Sequence, residues 1–211
     1  MKELETGMGR VIGESLESVL INSLPGYAIT KVDIIVEMLN ECREEMARIL
    51  ARLKNLILIN TDYKSNKEEI LELFVTCSGV ITARDIIARG SIKIVNKDLL
   101  LANLPIGKEV KLLLHANNGI GRVDAIKNKR ENDSFGIIPI DSNHSPIVDV
   151  NYTVEKVTSN YSRDYEQLSL KITTNGSIRH EDALSRASKI ITRHIKTFED
   201  LSDRDFEYEL L

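Results

Sequence analysis

The sequence predicts an α+β fold on three observations. One amphipathic helix stands near its start, a longer one stands near its end, and the chain between them breaks into short apolar runs separated by turn residues. The 211 residues, 42% of them hydrophobic, can bury a proper core in one large domain or two small ones. A formal net charge of −4 gives no general pull toward nucleic acid, so any contact with DNA has to be local or indirect. Cys42 and Cys77 lie far apart in unlike contexts, which fits neither a disulfide framework nor a metal-ligand pair and points to a reducing compartment. No apolar run approaches the length of a membrane span, and the start of the chain lacks the charged-then-apolar pattern of a secretion signal. Abundant Ile, Asn and Lys with no Trp fit an AT-rich genome, as in an organelle or a reduced bacterium.

The first helix falls in Gly7 to Ala28, where Val11, Ile12, Leu16, Val19, Leu20 and Ser23 follow helical spacing while Glu14, Glu17 and Asn22 look to water. Pro25 and Gly26 end it. Only six residues precede Gly7, too few for a strand feeding a nucleotide-binding turn. Ala28 to Ile34 alternates at period two and predicts a half-buried strand. Glu44 to Leu53 is a second, shorter helix; Leu56 to Asn60 returns to strand, and Asp62 to Glu69 is a solvated turn. Leu71 to Cys77, Ile92 to Val95, Leu99 to Ala102 and Val110 to His115 are short strands. Asn117 to Ser145, rich in Gly, Asn, Asp and Lys, reads as a long loop with an apolar island at Ile137 to Ile140. Ile147 to Val157 and Leu168 to Thr173 form an antiparallel pair across the bend at Ser159 to Glu166. The last helix follows the Asn175-Gly176 turn, with Glu181 and Asp182 in its first turn and an apolar stripe of Ala183, Leu184, Ala187, Ile190, Ile191, Ile195, Phe198 and Leu201. The tail from Ser202 to Leu211 is acidic and expected to fray.

Few residues invite a chemical reading. Gly7, Gly9 and Gly13 resemble a phosphate-cradling loop, but no strand precedes them and the spacing departs from both standard fingerprints, so tight helix entry and close packing are expected instead. His180 and His194 share the last helix without an acidic or Cys partner that would complete a metal set; His115 and His144 lie in or beside loops. No Ser-His-Asp or Cys-His set is suggested, and neither cofactor nor metal is expected. Lys127, Lys129 and Arg130 form a small basic cluster that reads as a solvated loop or as the rim of a partner contact.

Several collinear stretches carry a resemblance. Gly7 to Val32 (GMGRVIGESLESVLINSLPGYAITKV) is similar to the first helix and following strand of the N-terminal domain of the bacterial and plastid-type RNA polymerase alpha subunit. Ser145-Pro146-Ile147, Asn151 to Glu155, Thr174 to Ile178 and the helix EDALSRASKIITRHIKTFEDL resemble the end of that domain. Ser78 to Ile86 and Asn118 to Arg122 fit weaker signatures between them in the right order. The resemblance implies a dimerisation subdomain of residues 1–34 and 147–211, two packed helices on an antiparallel sheet. It also implies an inserted, mainly β subdomain of residues 35–146 that contacts the large beta and beta-prime type subunits.

The resemblance further implies a non-catalytic scaffold that pairs with an identical or paralogous chain, meets DNA only through the complex, and leaves nucleotidyl transfer to its partners. Leu16, Leu20, Leu184, Ala187, Ile191, Ile195 and Phe198 are the implied dimer interface; Glu14, Glu17, Ser18, Ile21, Gly119, Ile120 and Gly121 are the implied large-subunit contacts. The departures are specific. Glu17 and Ser18 stand where the family carries a basic pair, Glu14 stands where it has Asn, and a Gly-x-Gly-Pro insertion between Ser78 and Val80 is missing. Tyr161 to Asp164 replaces a Gln-Arg-Thr-Asp run, the family's first strands are nearly gone, and nothing matches the DNA-reading C-terminal domain. These departures point to a reduced, plastid-like version, located in a plastid stroma or a bacterial cytoplasm. The competing reading is a stand-alone homodimeric α+β binding protein that keeps the fold without joining a polymerase.

Overall fold

The computed structural model describes residues 4–35, 43–62, 67–76, 79–104, 109–130, 133, 136–158 and 164–202. In chain order the elements are β1 (Leu4–Glu5), α1 (Met8–Asn22), β2 (Pro25–Ile34), α2 (Arg43–Leu53), β3 (Leu58–Asn60), β4 (Glu69–Val75) and β5 (Gly79–Thr82). A 3-10 turn (Ala83–Asp85) leads to β6 (Ile86–Ala88), β7 (Ile92–Ile94), β8 (Leu100–Leu104), β9 (Val110–Ile120), β10 (Arg122–Val123) and α3 (Ala125–Asn128). The chain closes with β11 (Ile137–Pro139), β12 (Ser142–Asn143), β13 (Ile147–Val157), β14 (Tyr165–Thr174) and α4 (His180–Ser202). The architecture is α+β. Cys42, Cys77, Ser78, Tyr161 to Arg163, residues 63–66 of the Asp62 to Glu69 turn and the tail beyond Ser202 lie outside the described residues.

Two compact units result. Unit 1 comprises Met1–Leu24, Ile147–Thr174 and Ile178–Leu211; unit 2 comprises Pro25–Pro146 and Asn175–Ser177. Pro25–Ile34, grouped by the sequence reading with the first helix, joins unit 2 because it pairs along its length with β9, from Pro25 opposite Ile120 to Ile34 opposite Leu112. Nine cross-strand residue pairs outweigh sequence proximity to α1.

In unit 1 the sheet order is β1-β14-β13, all antiparallel. β1 lies within the six residues read as too few for a strand that feeds a nucleotide-binding turn; it is two residues long and sits at the sheet edge, where Leu4 and Glu5 pair with Glu166 and Tyr165. α1 packs on this sheet through a face made of Gly9, Gly13, Leu16 and Leu20. Gly9 and Gly13 lie one turn apart, and the helix comes so close that a Cβ on Gly9 would sit 2.7 Å from Val154 Cγ1, and one on Gly13 would sit 2.6 Å from the Tyr152 ring. Val11, assigned by spacing to the greasy face, lies off it and is 56% exposed, because the glycines set the contact side. α4 closes the same core with Ala183 and Ala187, both fully buried against Leu16, Leu20, Leu24, Ile147 and Val150.

Unit 2 is built on an antiparallel sheet of order β6-β4-β9-β2-β3-β7, with β11 added against β2. Its core draws Leu71 and Leu73 from β4, Leu112 and Leu114 from β9, Ile29 and Val32 from β2, and Ile49 and Leu53 from α2. The predicted alternation of β2 does not survive, since Ala28 to Val32 are all buried. A register shift between Ile29 and Lys31 breaks the period, and the Lys31 ammonium is buried against Asp133. The long loop predicted from Asn117 to Ser145 is also largely structured. β9 extends to Ile120, β10 pairs β12, and β11 pairs β2, so backbone pairing overrides a turn-rich composition.

The glycine contact gives a direct test. Replacing Gly13 by Ala should cost about 1–3 kcal/mol of stability, the usual range for overpacking, because the new methyl must displace the Tyr152 ring. Urea unfolding with an unchanged midpoint would refute that close approach.

Candidate functional site

The candidate site of unit 1 is the part of the helix pair that its own chain leaves uncovered. The first half of α4 lies over β14 and α1, but every described side chain from Thr192 to Glu199 is exposed. Leu184, Ile191, Ile195 and Phe198 are spaced to fall on one stripe of that helix. Leu184 and Ile191 are half-buried on the unit's own core, whereas Ile195 is 54% and Phe198 72% exposed. On α1, Met8 and Val11 add exposed apolar surface beside the half-buried Ile12 and Val19. Leu20 and Ala187, from the implied dimer set, are fully buried in the core of their own chain, and Leu16 is buried with 7% of its surface left. Sequence spacing cannot tell a stripe that covers its own sheet from one that continues past it.

The implied large-subunit residues on α1 lie on its outer side. Glu14 and Ser18 are exposed, Glu17 is half-buried, and Ile21 is 41% exposed. Glu14 is engaged by Arg10 at 2.7 Å, one turn away.

The α1 N-terminus is not an open anion site. Gly7 adopts φ +92° and offers no side-chain cap, and the buried Glu166 carboxylate takes that place, accepting the Gly9 N–H at 2.8 Å. Hydrogen bonds from the Gly7 and Gly9 N–H groups hold this carboxyl below the usual carboxylate range. An internal carboxylate therefore fills the position that a phosphate would need. Sequence reasoning missed Glu166, and no local signal marks it, since its partner lies 157 residues away.

In unit 2 the other implied contact, Gly119-Ile120-Gly121, ends β9. Gly119 faces Gly26 across the strands, and the pair forms the seat of the buried His144, whose ring atoms would stand 2.8 Å from a Cβ on Gly119. Gly26 sits under the His144 carbonyl oxygen. His144 Nδ1–H donates to the Gly26 carbonyl at 3.2 Å, Nε2 accepts from the Ser142 hydroxyl at 3.0 Å, and Asn128 donates to Ser142 in turn at 3.0 Å. Gly121 turns the chain at φ +65°, where its carbonyl receives the His144 N–H. Ile120, 53% exposed, is the member of this trio with an apolar side chain free for a partner.

His115 sits within β9, not beside a loop, and its Nδ1 is 2.8 Å from Glu68, which also meets Arg130. Burial pushes the Glu68 carboxyl up, but His115 and Arg130 outweigh it and leave it lowered. Lys127 and Lys129 are exposed, while Arg130 is tied to Glu68. His180 and His194 are both exposed, and His180 lies 3.0 Å from Glu181. Among the described residues no group of three or more His, Cys, Asp and Glu is placed to hold a metal ion, and no helix is long and apolar enough to cross a membrane.

The fold is thus a two-unit α+β chain whose glycine-faced helix and overhanging last helix share one small sheet. A profile of the RNA polymerase Rpb3/RpoA insert domain matches residues 29–145, nearly the whole of the unit 2 sheet. The chain aligns over its full length, and over 68% of theirs, with proteins named DNA-directed RNA polymerase subunit alpha: 36% identical in Desulforamulus reducens, 34% in Carboxydothermus hydrogenoformans and 38% in Desulfitobacterium hafniense. The chain belongs to the DNA-directed RNA polymerase alpha-subunit family. These relatives are bacterial, and nothing in the matches supports the plastid preference drawn from the departures.

Burial is the main effect on the His144 imidazole and pushes its pKa down against the hydrogen bonds that raise it. The unfolded chain then takes the proton first, so this contribution to stability is whole above the unfolded value of about 6.5 and is lost as pH falls from there through the lower folded value. Urea unfolding should show stability declining on the acid side of the unfolded value, and His144→Gln should flatten the decline. An unchanged slope in the variant would show that another group carries it.

Proposed function

We propose that this chain is an assembly subunit of a DNA-directed RNA polymerase. It pairs with a second alpha-type chain through the apolar stripe of α4 and α1, and it presents the outer side of α1 and the Ile120 region to the two large subunits. The observation that carries the dimer reading is the overhang: α4 continues past its own sheet with Ile195 and Phe198 exposed. Burying each contributes roughly 1.5–3 kcal/mol, and a contiguous apolar stripe is a common mark of a subunit interface. A two-fold pairing repeats the stripe on both partners, so a symmetric dimer could nucleate an asymmetric enzyme whose chemistry lies in the large subunits. Glu14, Ser18, Ile21 and Ile120 are the candidate large-subunit contacts that are exposed to receive one.

Light scattering on the full chain should give a dimer, and Phe198→Glu should shift it to monomer at the same concentration without lowering the cooperativity of unfolding, since the side chain touches solvent in the isolated chain. A variant that stays dimeric would move the interface elsewhere. Separately, a tagged chain should copurify with the beta and beta-prime type subunits under mild salt. A dimer that brings down neither would favour a stand-alone binding protein, the reading prompted by Glu17 and Ser18.

A further inference from the structure

The solvent side of α4 carries a feature that dimerisation and subunit assembly leave unused. Between Asp182 and Glu199 the helix contains Arg186, Lys189, Arg193 and Lys196 and no acidic residue, in a chain with 32 Asp and Glu against 28 Lys and Arg. Lys189, Arg193 and Lys196 follow i, i+4, i+7 spacing and share one face, roughly opposite the Leu184–Ile191–Ile195–Phe198 stripe. They stay exposed when that stripe is covered. With Ser185, Ser188 and Thr192 they line a shallow groove of about 430 Å³. Several arginines elsewhere on the surface have carboxylate partners, Arg10 with Glu14, Arg84 with Asp98, Arg89 with Glu72 and Arg179 with Asp182, although the exposed Arg122 has none among the described residues. Lys189, Arg193 and Lys196 have none among the described residues.

We propose that this face of α4 binds nucleic acid, without sequence preference, through its phosphate backbone. The charge sign selects a polyanion, and the lining selects among polyanions. A docked protein draws its affinity from aromatic and aliphatic anchors set in pockets, whereas this groove is lined by Lys, Arg, Ser and Thr alone, its apolar surface being their aliphatic stems and its polar groups ammonium, guanidinium and hydroxyl. Those are the groups that meet phosphate oxygens, and they reach no base edge when the helix lies along a strand. Successive cations rise about 6 and 4.5 Å along the helix axis, so three long side chains can meet neighbouring phosphates on one strand. The net charge of the chain opposes the contact, so it is local, short and sensitive to salt.

The test is fluorescence anisotropy of the full chain with a labelled random-sequence duplex of about 30 base pairs at about 50 mM salt, where weak non-specific binding is measurable. The expected result is binding in the micromolar range that falls with added salt at a logarithmic slope of about −3, as three phosphate contacts require. A duplex of unrelated sequence should bind equally. The triple variant K189E/R193E/K196E should lose at least about tenfold in affinity while keeping its dimer mass, and K127E/K129E should bind as the wild type does. No binding by the wild type, or undiminished binding by the triple variant, overturns the proposal. Preferential binding of polyglutamate of matched charge also overturns it and assigns the stripe to an acidic protein.

Discussion

The approach of α1 to β13 and β14 is the constraint on which unit 1 depends. Two glycines one turn apart remove the side chains that would hold the helix off the sheet, and Val154 and Tyr152 fill the space. That contact brings the helix N-terminus over Glu166, where the carboxylate satisfies N–H groups that no side chain of α1 caps. It also rotates the helix, so that Leu16 and Leu20 enter the core while Met8 and Val11 remain outside. α4 then closes the core with Ala183 and Ala187, both fully buried. The exposed apolar surface follows from this geometry: the sheet is covered by the first turns of α4, and the helix outlasts it.

Unit 2 uses the same device for a different purpose. Gly26 and Gly119, paired across β2 and β9, leave a shallow seat in which His144 lies neutral and hydrogen-bonded on both ring nitrogens. The turn-rich segment after β9 is thereby pinned at one end by His144. Elsewhere it is fastened by the pairing of β11 with β2 and by the ion pair of Lys31 with Asp133. A sequence signature that reads as a binding loop turns out to hold its own strand ends together. Of Gly119, Ile120 and Gly121, Ile120 carries the exposed side chain.

The strong periodic elements were legible without coordinates. Both long helices, α2, the pairing of β13 with β14 and the stretch matched to the alpha-subunit family were all readable from spacing and motif. The polar segment from Asn117 to Ser145 was not, because strands held by cross-strand backbone bonds need no apolar alternation of their own. β1 was invisible for the same reason at a length of two residues. Of the residues read as a dimer face, Leu16, Leu20 and Ala187 fell into the core and Ile195 and Phe198 stayed outside, a division that depends on where the sheet ends.

The sequence by itself determined which segments are amphipathic, where the helices stop and to which family the motifs point, since these rest on spacing and backbone preferences of neighbouring residues. Only the tertiary structure decided which side of each helix is covered, that β2 belongs with β9, and that the glycines of α1 face Val154, Tyr152 and Glu166. Such outcomes arise from contacts between residues more than a hundred positions apart, which local periodicity does not encode. The stretch from Gly7 to Gly13 shows the difference: its glycines are plain in the sequence, but only the arrival of Glu166 makes them a packing face instead of an anion loop.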